Sequence, residues 1–204
     1  FLDYDMKQAE VIVISKNEKL NTTLIPISRL HNEYFGGGMS SVMFQELRES
    51  QALAYSVYST FTTPRKISDS HFQLSYIGTQ ADKLEEAMMG MMNLLKEMPK
   101  SEGNLNAAKE GIVQKIRTER ITKSAIMNYI ERAKKMGLNT DSRKNIFENI
   151  ENFSMDDVEN FHNEKISNQN YTYLVLADKK SINFELLSKY GKVEFLTLEK
   201  VFGY

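Results

Sequence analysis

Two alternating runs constrain this chain more than any other feature. In Tyr55-Ser56-Val57-Tyr58-Ser59-Thr60-Phe61, the residues Tyr55, Val57, Ser59 and Phe61 share a face. In His71-Phe72-Gln73-Leu74-Ser75-Tyr76-Ile77, Phe72, Leu74 and Tyr76 do the same. A period of two marks a strand. The polar stretch Thr62-Thr63-Pro64-Arg65-Lys66 separates the runs, so together they predict an antiparallel hairpin.

Elements of both kinds surround this hairpin. The β-branched run Ala9-Glu10-Val11-Ile12-Val13-Ile14-Ser15 reads as a strand, with Asn17-Glu18-Lys19 as its turn. Leu24, Ile25, Ile27 and Leu30 line a short helix that starts near Pro26. Downstream, 81–98 is a helix through Leu84, Ala87, Met88, Met91, Leu95 and Met98, ended by Pro99. Further helices are predicted over 104–119 and 122–136, the latter stopped by Gly137, and over 145–150. Ser154 with Asp157 resembles a capping box for a helix to about residue 166. Tyr171-Thr172-Tyr173-Leu174-Val175-Leu176-Ala177 reads as a central strand, followed by a helix over 182–190 closed by Gly191 and a last strand over 193–198. No internal repeat or linker divides the 204 residues. The order predicts one α+β domain over 1–204, with helices packed on one face of a mostly antiparallel sheet.

Composition excludes several classes. A net charge of −1 with 26% charged residues advertises neither a nucleic-acid nor a membrane-surface partner. No apolar run is long enough for a transmembrane helix. Zero cysteines removes disulfides and thiolate metal sites. The chain begins with Phe and is expected to be a piece of a longer protein. The expected compartment is the bacterial periplasm, with the cytoplasm as the alternative.

The stretch ahead of the hairpin carries the strongest motif. Gly36, Gly37 and Gly38 permit φ > 0 and close approach of other groups. Ser40 and Ser41 are candidate caps for a helix whose apolar face holds Met43, Phe44 and Leu47, and Arg48 stands at its end. Gly-Gly-Gly-Met-Ser-Ser, then Phe-Gln-Glu-Leu-Arg-Glu, then Leu-Ala-Tyr-Ser-Val, over about residues 32–61, resembles the second-domain signature of the pitrilysin/insulinase metallopeptidases and their processing-peptidase relatives. Val42 stands where that family usually has Arg, and Ala52 where it has Gly; Ala tolerates φ > 0 poorly.

The resemblance implies a processing-peptidase-like fold and a domain that pairs with similar domains around a closed chamber. It implies zinc, held in catalytic domains by H-x-x-E-H and a later Glu. This chain has only His31, His71 and His162, no two within ten residues, so no metal is expected here and the histidines read as solvent-facing or incidental. The zinc is expected in a partner domain of the same chain or complex, and this piece alone is expected to be inactive. The resemblance also implies that Arg48 and Tyr55 bind substrate, reaching across the chamber to hydrogen-bond a peptide near the scissile bond. A guanidinium and a phenol are suitable donors for that purpose. The residues alone equally allow Arg48 as a surface residue paired with Glu46 or Glu49, and Tyr55 as a half-buried strand residue.

The expected function is therefore that of a non-catalytic, substrate-binding, C-terminal-type domain of a zinc metalloendopeptidase. The alternative is a scaffold or peptide-binding domain of a non-peptidase relative. Other motifs read more plainly. The glycines lack the Lys-Ser/Thr of a phosphate loop. Methionines 88, 89, 91 and 92 read as core filler, or alternatively as a pliable binding surface. The basic stretch Lys115, Arg117, Arg120, Lys123, Arg132, Lys134 and Lys135, interleaved with Glu119 and Glu131, reads as a solvated helix face.

Overall fold

The computed structural model describes residues 1–203. Its centre is a five-stranded sheet in the order β1-β5-β2-β4-β3, formed by β1 (Leu2–Asp3), β2 (Gln8–Lys19), β3 (Ser56–Phe61), β4 (Ser70–Gln80) and β5 (Thr172–Ala177). The expected hairpin is present: β3 and β4 are antiparallel, with Tyr58 opposite Tyr76 and Phe61 opposite Gln73. β2 lies between β4 and β5 and is antiparallel to both, while β1 adds a short parallel pair on the outside.

Helices cover one face of this sheet, as the α+β order predicts. The helices are α1 (Ile25–Phe35), α2 (Leu84–Lys96), α3 (Glu102–Thr118), α4 (Lys123–Lys135), α5 (Ser142–Asn149), α6 (Met155–Lys165), α7 (Phe184–Ser188) and α8 (Leu198–Phe202); α1 and α2 pack on the sheet, α3, α5 and α6 pack on α1, and α4 and α8 bury no residue. Val11, Val13, Val57, Phe61, Ile77, Val175 and Ala177 point to the covered side and join Leu30, Phe35, Met88, Met91, Ile112 and Phe161 in one core. Pro26 opens α1, and Ser154 with Asp157 forms a complete capping box on α6.

Strand β4 is built with its chemistry inverted. Its helix-covered side carries His71, Gln73, Ser75 and Thr79 beside Ile77, all buried. These polar groups are hydrogen-bonded within the covered layer. Gln73 Nε2 donates to Ser59 Oγ (2.7 Å) and Ser75 Oγ (3.0 Å), and the two hydroxyls lie 2.9 Å apart. Phe72, Leu74 and Tyr76 take the other side and are only partly buried. Across that face, Leu174, Ile12, Tyr76 and Tyr58 form one row, and Thr172, Ile14, Leu74 and Thr60 the next. Tyr58 and Tyr76 stack at 5.2 Å.

Several local expectations are corrected. The segment Asn17-Glu18-Lys19 is not a turn; β2 runs on through it with a register shift between Lys16 and Lys19, and Leu20 N bonds Asp69 O. The strand β5 is second from the edge rather than central. No strand forms over 193–198: Leu196 makes a single parallel bridge to Leu2, and Thr197 caps α8 by accepting from Lys200 N. Among the described residues no helix is long and apolar enough to cross a membrane.

Candidate substrate-binding site

The glycine triplet is used for contact rather than for positive φ, since none of the three takes that conformation. A methyl on Gly36 would lie 2.3 Å from the Ser59 carbonyl oxygen, and one on Gly37 would lie 2.7 Å from the Asn32 oxygen. Gly38 has open space around it. The end of α1 is thereby pressed against the outer edge of β3. Ser59 N donates to Gly36 O (3.2 Å), and the Asn32 amide both donates to Phe61 O and accepts from Phe61 N.

After the glycines comes a π-helical segment, Phe44–Ser50, rather than the capped α-helix expected. Neither serine caps it. Ser41 turns back and donates to Gly38 O at 2.6 Å. Leu47 is buried, anchoring the segment, while Arg48 lies in its last turn. The wide turn closes with Gln51 N on Glu46 O and Leu53 N on Leu47 O. Ala52 between them has φ of 51°, so the left-handed conformation persists without the family's glycine. The Leu53 carbonyl accepts from Thr79 Oγ1 at 2.6 Å, and the Ala52 carbonyl from Lys83 Nζ at 3.2 Å.

These restraints deliver both predicted site residues to the surface. Arg48 stands over the Phe44 ring, 4.7 Å from its centroid, and forms a loose exposed pair with Glu49 at 3.8 Å. Tyr55 immediately precedes β3, is 51% exposed, and bonds Gly78 O through its backbone N. Its hydroxyl accepts from Gln80 Nε2 at 2.8 Å, which leaves its own proton to donate. Phe44, the ring beneath Arg48, lines a groove of about 430 Å³ together with the three glycines, exposed Met39 and residues 56–60 of β3.

The histidines differ from expectation: all three are buried. His71 accepts from Asn21 N through Nε2 (3.1 Å) and donates to Thr62 O through Nδ1 (2.8 Å). His31 and His162 meet at 3.0 Å, and His162 reaches Leu95 O at 3.0 Å. Burial holds His31 well below its ordinary range, with the neighbouring His162 adding to it, and burial takes His162 down to about 4. Zinc does not fit these residues. Both nitrogens of His71 and of His162 are spent on hydrogen bonds, and among the described residues no three potential ligands come together. Sequence reasoning missed the His31–His162 contact because 131 residues separate the partners.

An inverted antiparallel sheet, a glycine-welded edge and the exposed Arg48 and Tyr55 thus lie in one domain, and among its described residues no group of side chains could hold a metal ion. Residues 3–112 match the peptidase M16 inactive domain, and the chain belongs to that family. It is 35% identical over 103 residues to a protein of Rickettsia bellii named an uncharacterized zinc protease, covering 48% of this chain and 23% of that one. The crystal structure of a peptidase M16 inactive domain from Pseudomonas fluorescens superposes with a TM-score of 0.74 at 16% identity, over 89% of this chain and 44% of that one. A Helicobacter pylori protease structure gives 0.70 at 15% identity, over 86% and 43%. The chain thus spans under half the length of these matched proteins.

Proposed function

We propose that this domain is the substrate-orienting half of a zinc-dependent endopeptidase whose metal and general base belong to another domain. Arg48 and Tyr55 would donate hydrogen bonds to a peptide carbonyl near the scissile bond. The observation that carries this reading is the segment Phe44 to Tyr55. It is fixed from beneath by Leu47, Leu53 and Thr79, yet it presents a guanidinium and a phenolic proton that no buried partner consumes. Family membership and the relatives' naming as zinc proteases support the reaction class. The groove beside β3 and the partly buried apolar sheet face offer room and contact for an extended peptide.

The test is kinetic, in the parent peptidase with a quenched-fluorescence peptide. Arg48→Ala and Tyr55→Phe should each lower kcat/KM by about 10²-fold, as loss of one positioned donor does elsewhere. Zinc content should stay unchanged. Unaltered kinetics in both variants would refute the role and leave a scaffold domain in its place.

A further inference from the structure

Helix α4 is held at both ends and at its middle, and is bare along one side. At its start Thr122 accepts from Ala125 N, and at its middle the Arg143 guanidinium lies 4.0 Å from the Tyr129 ring centroid. Arg143 also holds Asp141 and, at 2.8 Å, Glu119, to which Tyr129 donates at 2.9 Å. At the far end, Ile67 N donates to Lys135 O, and Met136 is buried. No residue within α4 is buried, although Ile126, Met127 and Ile130 are 46%, 63% and 44% exposed. Ile121 ahead of the helix and Phe147 on α5 extend the apolar strip. A thirteen-residue helix is marginal on its own in water. The end clamps hold it in place as a surface for something else to cover.

A groove of about 410 Å³ runs beside it, a second of the same volume lies between Ile116 and α5, and the two meet at Ile121, Asp141 and Arg143. We propose that they seat an acidic amphipathic helix of a partner protein. Concavity argues for a ridge of side chains at i, i+3, i+4 and i+7, which a flat lipid surface does not have. Charge sets the sign. Arg117, Arg120, Lys123, Lys134 and Lys144 are exposed around the strip and outnumber its exposed carboxylates Glu119, Glu131 and Glu148, the last of which pairs with Lys144, in a chain whose overall charge is only −1. A second copy laid antiparallel on α4 would set Lys123 against Lys134 and Lys135, a like-charge pairing. Nucleic acid would satisfy the cations and leave Ile126 and Ile130 without contact.

The experiment uses the 204-residue chain and two labelled synthetic helices of about twenty residues. Both carry Leu at i, i+3, i+4, i+7; one has Glu and the other Lys at the outward positions. Fluorescence anisotropy should show binding of the Glu helix and none of the Lys helix. Ile126→Glu/Ile130→Glu and Lys123→Glu/Lys134→Glu should each weaken it at least about tenfold while circular dichroism and the urea midpoint stay put. Equal binding of both helices, or no loss in the variants, overturns the proposal. So does a variant-sensitive preference for phosphatidylglycerol vesicles or polyuridylate, or a self-dimer in sedimentation velocity that the variants dissolve.

Discussion

His31 Nε2 donates to His162 Nδ1 across 3.0 Å, and the direction is fixed by the carbonyl beyond it. Leu95 O can only accept, so His162 Nε2 carries a proton and its Nδ1 must be the acceptor. Both rings are then neutral, and His31 Nδ1 is a buried lone pair without a partner. The relay ties α1 to α6 and α2, among Phe35 and Phe161.

Acid should therefore loosen this domain before its carboxylates titrate. Both folded-state values lie below the ordinary 6.5, so the unfolded chain takes up protons first as pH falls. Stability should be full above about pH 6.5 and decline towards pH 4, with His162 alone contributing a loss of about 3 kcal/mol. Urea midpoints at pH 7.5, 6, 5 and 4.5 check the slope. His162→Gln, which keeps a donor for Leu95 O, should flatten it; an unchanged slope would contradict the assignment.

Ala52 pays for a conformation that glycine adopts without strain, at φ of 51°. Ala52→Gly should stabilise the domain by about 0.5–1 kcal/mol, the relief of left-handed strain partly offset by the freer unfolded chain. Ala52→Val should destabilise it by more than that. Thermal melts of the three proteins decide the sign.

The first and third glycines of the triplet should respond oppositely to one methyl group. Gly36→Ala would drive a Cβ into the backbone of Ser59 and should destabilise by about 1–3 kcal/mol or more. Gly38→Ala meets nothing and should leave the urea midpoint within about 0.5 kcal/mol of the natural chain.

Thr79→Val removes the donor that fixes Leu53 O while keeping the shape of the side chain. A buried acceptor left unpaired should lower stability by about 1–3 kcal/mol. If the segment ahead of Tyr55 positions substrate, the same change should lower kcat/KM of the parent enzyme at temperatures where the domain remains folded. Arg48→Ala introduced on top should then add less than it does alone.

Periodicity made the architecture legible. The β3–β4 pairing, the helix block and the Ser154 cap are local patterns, and each lies within three residues of its expected bounds. Arg48 and Tyr55 were singled out by motif alone; the structure shows that both are exposed, and their role in binding substrate is the proposal made above. What local pattern could not reveal was which side of β4 faces the helices. Alternation is symmetric, and here Ser59, Gln73 and Ser75 hydrogen-bond one another under the helices, leaving only the Gln73 Oε1 of this trio without a partner. The end of the chain failed for another reason. The apolar run over 193–198 meets the sheet only through the two-residue β1, and Thr197 offers a helix cap that the next residues take up. Burial of the histidines depended on contacts distant in sequence.

The inversion of β4 also bears on how such a domain can exist in a cell. An oily palm of Ile12, Ile14, Leu74, Tyr76 and Leu174 is left half-exposed while hydroxyls and an amide are shut inside. Water penalises that arrangement for as long as the palm stays wet. Housed opposite another wall, the same surface becomes a lining, and crowding molecules can no longer stick to it.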